Sequence, residues 1–345
     1  MSSVAGVAIG RNEGPRLKAC LQSLAGRAEP IVYVDSGSTD GSVAMARAAG
    51  ATVVELDMSV PFTAARARNA GLAVVKAAAR GTAFVQFVDG DCTLAPEWIE
   101  TAAAFLSAHP DHAVVCGRRR EHAPEATLYN RLADMEWNTP IGPAAACGGD
   151  AMMRRSALSA VGGYRDDLIA GEEPELCLRL ARAGWQIERL DAEMTGHDAG
   201  ITRFGQWWKR CVRGGWAAAE GAALHGRGAE AYNVARLRSI VIWGALVPGG
   251  TVLAGLLAAV LAAGGSALSL VPAAMAAGGL GLMVLQGLRI ARGRVRRFGD
   301  AGRHAALYGL FTMLGKLPQM QGVIRYGRHA RRGGRARLIE YRSEG

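Results

Sequence analysis

Three acidic stretches in this chain are placed where they could do chemistry. Asp89-Gly90-Asp91 ends the apolar run FVQFVDGDCTL, Asp35 closes IVYVD, and Glu172-Glu173 opens AGEEPELCLRLARAGW. Two carboxylates one glycine apart at the tip of a buried strand repel each other and are costly to desolvate unless a cation sits beside them. A divalent ion, Mg2+ or Mn2+, meets that need, because one or two carboxylates hold it while waters and substrate phosphates complete its shell. Gly90 lets the backbone bend closely around a ligand. Taken alone, the motif also fits a solvated Asp-Gly turn.

The stretch VDSGSTDGS around Asp35 offers short polar side chains and two glycines where a nucleoside would dock. A turn in which Thr39 or Asp40 caps the next helix is the plainer reading. Glu172, Glu173 and Glu175 crowd one helix N-terminus, where the macrodipole favours negative charge. One positioned carboxylate there would serve as a general base. His197, in MTGHDAG, follows an expected strand and reads either as a further metal or diphosphate ligand or as a structural histidine. Arg118, Arg119 and Arg120 read as a partly solvated charged face, with acceptor binding the lesser reading.

The first half of the chain alternates short apolar runs with helical patterns, the signature of an α/β sheet. Strands are expected at Val4–Ile9, Ile31–Asp35, Thr52–Leu56, Phe84–Asp89 and Ala113–Gly117, with Pro96 at the first position of a helix. Loops at the carboxyl ends of such strands carry the chemistry, and both Asp35 and Asp89 lie there.

The second half differs in charge and hydropathy. Met1–Gly205 carries 20 basic and 25 acidic residues, whereas Gln206–Gly345 carries 20 basic and 5 acidic ones. The basic residues flank long apolar runs, which points to an anionic membrane rather than nucleic acid. Residues 206–238 interleave Trp207, Trp208 and Trp216 with Lys209, Arg210 and Arg213 and are expected to form amphipathic interfacial helices. A helix packed on the catalytic domain is the alternative. Ser239–Ala263 and Ser266–Leu288 hold no charged residue, are separated by Gly264 and Gly265, and read as a transmembrane hairpin spanning 239–288. Arginines on both flanks place its two ends on the cytoplasmic side. The basic tail, 289–345, contains an apolar stretch, 304–324, interrupted by Lys316 and Pro318, which reads as interfacial or re-entrant. The six cysteines show no CxxC pair and read as reduced, small buried residues. The N-terminus lacks the pattern of a signal peptide, so the first domain, 1–205, is expected to face the cytoplasm.

Five blocks then fall in a telling order: VAIGRNEG, VDSGSTDGS, FTAARARNAG, CGGDAMMRRSALSAVGGYRDDL and AGEEPELCLRLARAGW, with DGD between the third and fourth. This order resembles the family 2 glycosyltransferases, enzymes of the GT-A fold that use nucleotide-diphosphate sugars. The resemblance implies an α/β domain with a Rossmann-like mixed sheet, followed here by the transmembrane hairpin. It implies donor contacts from Asn12, Asp35, Ser36, Arg66, Arg68 and Asp89. Metal ligation would fall to Asp91 and Asp89 with His197, and the base would be Glu173 or its neighbour Glu172. Gly149, Asp150 and Arg154 would lie on the acceptor side, and Gln206, Lys209 and Arg210 would meet the diphosphate or lipid phosphates. Two positions depart from the pattern: many members carry Asp where this chain has Ser36 and Asp where it has Glu173.

The function so implied is inverting, metal-dependent transfer of a sugar, expected to be UDP-linked, to a lipid-linked or polysaccharide acceptor at the cytoplasmic membrane face. A non-catalytic assembly subunit and a nucleotidyltransferase are the alternatives. GRNEG is too short and too acidic for the phosphate loop of the latter. Two spans give too few helices for a polymer channel.

Overall fold

The computed structural model describes residues 3–79, 81–333 and Ile339. The chain divides into two compact units at Gly200/Ile201.

The first unit is built on a mixed sheet with nine strands among the described residues. In chain order they are β1 (Val4–Gly10), β2 (Ile31–Asp35), β3 (Thr52–Glu55), β4 (Phe84–Asp89), β5 (Cys92–Leu94), β6 (His112–Glu121), β7 (Gly142–Pro143), β8 (Met152–Arg154) and β9 (Gln186–His197). Their order across the sheet is β3-β2-β1-β4-β8-β6-β9-β5, with β7 paired to β9. β1 runs parallel to both β2 and β4, and β2 parallel to β3. β8 inserts antiparallel between β4 and β6, and so brings the segment before it, with Asp150, against the end of β4.

Burial explains why these runs pair. Val7, Ala8, Val32, Val34, Val85, Phe87 and Val88 are fully enclosed, as strands covered on both faces must be. The helix Ala64–Ala78 lies on β1 and β2 through Gly71, where an added Cβ would press into Val7. The helix after β5 begins at Trp98 with Glu97 as its N-cap, so Pro96 precedes the helix instead of opening it. The Trp98 indole explains the late start: it is buried and donates to Gln86 Oε1 at 2.8 Å, which draws the first turn into the core.

In the second unit the helix Phe204–His225 packs along Lys316–Arg332. Gly215 and Gly322 allow close backbone approach, and Trp208 Nε1 donates to Gln321 Oε1 at 2.9 Å. Trp207 and Trp216 are buried there against Phe311 and Tyr326. Two helical stretches, Val234–Ala263 and Ala267–Phe298, are long and apolar enough to cross a membrane, with mean hydropathy 2.1 and 1.9. Their leucines and valines are widely exposed, Leu253 at 68% and Val260 at 69%, as expected for side chains that face lipid. The stretch 304–324 forms parts of two helices, Gly302–Leu314 and Lys316–Arg332, which meet at Gly315.

Candidate active site

The site grows from β1. In register, Gly10 faces Asp35 on one side, and Ile9 faces Asp89 on the other. Asp35 is buried and organises its own loop: Oδ2 accepts from the backbone N–H of Gly37 at 2.9 Å and of Ser38 at 2.8 Å, while Oδ1 accepts from the Tyr33 hydroxyl at 3.0 Å. Asn12 ties the first loop to the second, donating from its backbone N–H to Ser38 Oγ at 2.9 Å and accepting from Thr39 N–H at 2.7 Å. Ser36 is buried beside them, its N–H on Gly10 O at 3.1 Å.

At the strand tip Gly90 sits in a tight space. A Cβ there would lie 3.2 Å from Ile9 O and 3.3 Å from Glu13 Cγ. The tight turn sends the two carboxylates to different partners. Asp89 Oδ1 accepts from Arg68 at 2.8 Å, and the same guanidinium donates to Glu172 Oε1 at 2.7 Å. Asp91 Oδ2 lies 3.5 Å from His197 Nε2, with both side chains nearly enclosed. The repulsion that made the motif conspicuous is thus relieved by separate cationic or polar partners. Burial alone would lower the Arg68 pKa, but Asp89 and Glu172 raise it, so the guanidinium is charged throughout the useful range.

Asp150 supports this tip from beneath. Fully buried, it accepts from Asp89 N–H at 3.2 Å and Thr195 Oγ1 at 3.1 Å, and it pairs with Arg119 at 2.6 Å. Burial pushes its carboxyl up, against the opposing pull of Arg119. The Arg119 guanidinium lies 5.5 Å from the centre of the Trp137 ring, which packs nearly perpendicular to the His197 ring. Gly149 leaves room for the same ion pair, since a Cβ there would lie 2.7 Å from Arg68 Nη2 and 3.0 Å from Asp89 Oδ2 and push on them.

Gly171, in a left-handed conformation at φ 81, turns the chain into the helix Glu172–Arg182. The two glutamates it introduces are held differently. Glu172 is paired to Arg68. Glu173 Oε1 accepts from Cys147 N–H at 2.5 Å and from Cys177 Sγ at 3.0 Å, and Oε2 takes neither bond.

Not every expected residue joins this cluster. Arg66 spends its guanidinium on the carbonyls of Val60 at 2.9 Å and Asp57 at 2.6 Å, bracing the loop before its helix. Arg154 is a correction. It pairs in register with Phe84 at the start of β4, opposite the end that carries Asp89, and donates to the carbonyls of His112, Leu106 and His109. In the second unit Gln206 Oε1 caps its helix, accepting from Arg203 N–H at 2.9 Å, Lys209 is exposed and Arg210 half-buried.

Sequence reasoning missed Trp137, Thr195 and the two thiols at Glu173, and it reads Arg119 with its neighbours as a partly solvated face although the side chain is mostly enclosed against Asp150. Arg119 had a usable signal. In a strand, alternate residues face opposite sides, and Arg118 and Arg120 turn instead to the exposed Asp191 and Glu193.

Asp91, His197 and Cys92 offer three donor atoms within 4.8 Å of one another. The carboxylate suits Mn2+, and the imidazole suits a borderline divalent ion. Burial, followed by the charges of Asp150 and Asp91, pushes the Cys92 thiol well up. Asp89 is engaged by Arg68, so the first ligands would be Asp91 and His197.

Residues 9–162 match the family model described as glycosyl transferase family 2. The pre-mycofactocin glycosyltransferase of Mycobacterium tuberculosis (strain ATCC 25618 / H37Rv) is 28% identical over 172 residues, 47% of this chain and 35% of the relative. The chain therefore spans about a third of that curated relative's length. Among solved structures, the mannosyltransferase PcManGT from Pyrobaculum calidifontis, in complex with GDP-Man and Mn2+, is similar with a TM-score of 0.59 at 18% identity, over 94% of this chain and 86% of that one. S. aureus TarS 1-349 gives a TM-score of 0.50 at 16% identity, over 93% and 92% of the two chains. These likenesses establish the shared fold. The N-terminal unit thus has the GT-A fold, and residues 9–162 within it match the glycosyl transferase family 2 model.

Proposed function

We propose that this chain is an inverting, metal-dependent glycosyltransferase, moving a sugar from a nucleotide-diphosphate donor to a hydroxyl of a lipid-linked or polysaccharide acceptor at the cytoplasmic membrane face. The observation that carries this reading is the chain of ion pairs Asp89–Arg68–Glu172, which joins the acidic strand tip to the acidic helix N-terminus beside the Asp91–His197 pair. Donor chemistry and acceptor chemistry need to meet in this way. The family match supports the reaction class. The similar mannosyltransferase, solved with GDP-Man and Mn2+, keeps guanosine beside uridine as a donor base.

The loops of Asn12, Asp35 and Ser36 would hold the nucleoside, their backbones already locked to one another. Asp91 and His197, with Asp89 behind them, would hold a divalent cation, which supplies positive charge against the departing diphosphate. Glu173 would take the acceptor's hydroxyl proton while that oxygen attacks the anomeric carbon opposite the leaving group, and inversion follows. Its Oε1 is fixed by Cys147 and Cys177, which orients the carboxylate. Glu172 is engaged in its ion pair with Arg68, which leaves the role of base to Glu173. Gly149 and Asp150 keep Asp89 and Arg119 in place and border the acceptor side. The two apolar helices would hold the domain at a bilayer, where Gln206, Lys209 and Arg210 meet diphosphate or lipid phosphates.

Membranes bearing wild type, Asp91→Ala and Glu173→Gln, incubated with radiolabelled UDP- and GDP-sugars, test this reading. Label should enter the lipid or glycan fraction with wild type alone. Equal incorporation in all three would remove the mechanism.

A further inference from the structure

The environment of Glu173 holds a second donor cluster. Cys177 lies one helical turn from Glu173 on the same face, and Cys147 reaches the pair from the segment before β8. The two sulfurs are 3.7 Å apart, and one donor atom from each of Cys147, Glu173 and Cys177 lies within 4.8 Å of the others. All three side chains are buried.

We propose that Cys147, Cys177 and Glu173 form a binding site for a thiophilic divalent cation of the zinc class, distinct from the Asp91–His197 pair. The geometry fits that ion. Two Zn–S bonds of about 2.3 Å at a tetrahedral angle set the sulfurs about 3.8 Å apart, against the 3.7 Å found. The carboxylate oxygen, 3.0 Å from Cys177 Sγ, would move out by about half an ångström to reach the spacing of a bound ion. A water would complete four-coordination.

Binding takes two thiols to thiolates and releases two protons to solvent, and no electron is transferred. It also breaks the bond from the Cys177 thiol to Glu173 and that from the Cys147 thiol to Gly148 O. Softness biases the two sites: Mg2+ and Mn2+ favour oxygen donors and gain little from a pair of thiolates, whereas zinc binds thiolates tightly. Loading the thiol site would engage the Glu173 carboxylate and so stop transfer. That consequence, unlike the site itself, rests on Glu173 being the base.

Co2+ reports such a site without any substrate, because tetrahedral thiolate ligation gives charge-transfer and visible bands. Purified full-length protein, stripped of metal and titrated with Co2+, should develop thiolate bands at one equivalent per chain. Zn2+ should abolish them and excess Mg2+ should not. Cys177→Ser and Cys147→Ser should lose the bands while keeping the wild-type circular dichroism, and Cys92→Ser should keep them. A wild-type protein without thiolate bands overturns the proposal, as do bands that survive Cys177→Ser or vanish in Cys92→Ser. The wild-type titration stands even where a variant misfolds. Inhibition of sugar transfer by Zn2+ is measured separately, so failure of the base assignment would leave the spectra intact.

Discussion

Asp89 and Glu172, far apart in the chain, share one cation: Arg68 donates to the first at 2.8 Å and to the second at 2.7 Å, with its own side chain 3% exposed. Removing one partner of a buried ion pair leaves the others uncompensated, at a cost of about 3–5 kcal/mol when desolvation is complete. The Asp89 side chain is 30% exposed, so the lower end of that range applies. Arg68→Ala should therefore lower the thermal midpoint of the detergent-solubilised protein and weaken donor binding. Arg68→Lys keeps the charge but not the two-pronged fork and should fall between. An Arg68→Ala protein that melts with wild type would show that the pairing carries no weight.

The two glutamates should separate in kinetics. Glu173→Gln is expected to reduce kcat about 10²–10⁴-fold with the donor KM unchanged, the pattern of a lost general base. Glu172→Gln frees one arm of Arg68 and should act on the melting temperature and donor KM together. Steady-state measurements on both variants decide between them, and the reverse pattern would transfer the base to Glu172.

Much of this site was legible in the sequence because its carboxylates end apolar runs, and strand termini in a parallel sheet collect on one edge. β1 to β4 could be read from such runs. β5 and β8 could not: three residues each, Cys92–Leu94 and Met152–Arg154, are too short to show a period, and β8 is placed by its pairing with two distant strands. That missing register is why Arg154 was assigned to the acceptor side when it sits at the far end of β4. Likewise Arg119 was hidden in a basic run whose alternation only becomes meaningful once one face of β6 is known to meet Asp150.

Asp40 gives a pH dependence of known sign. Its carboxylate accepts from Ser42 N–H at 3.1 Å and Ser42 Oγ at 2.6 Å at the start of the helix Ser42–Ala48. Slight burial opposes ionisation, but these bonds outweigh it and hold the carboxyl below its usual value of 3.8. A carboxylate with a lowered folded-state pKa stabilises fully above the unfolded-state value and loses that contribution as pH falls through the folded-state one. Asp40→Asn should thus melt below wild type near neutrality, and the gap should close below about pH 3.8. A gap that is constant with pH would exclude the charge as its source.

The apolar hairpin should cross the membrane with both flanks inside. Arg236 and Arg238 precede it, and Arg289, Arg292, Arg296 and Arg297 follow. A periplasm-active phosphatase fused between Gly264 and Gly265 should be active, and the same reporter after Gly299 should be silent. The opposite pattern would invert the topology and remove the domain from its donor.

The role of Asp91 is open to the most direct measurement: thermal shift of the purified protein with UDP or GDP, with and without Mn2+, in wild type and Asp91→Asn. Saturating ligand that binds only the folded state stabilises by about 2.7 kcal/mol at a hundred times Kd. One nucleotide should raise the wild-type midpoint only when Mn2+ is present, and Asp91→Asn should lose that rise. An equal rise in Asp91→Asn, or in wild type without the metal, would contradict a strand tip that binds the donor through a cation.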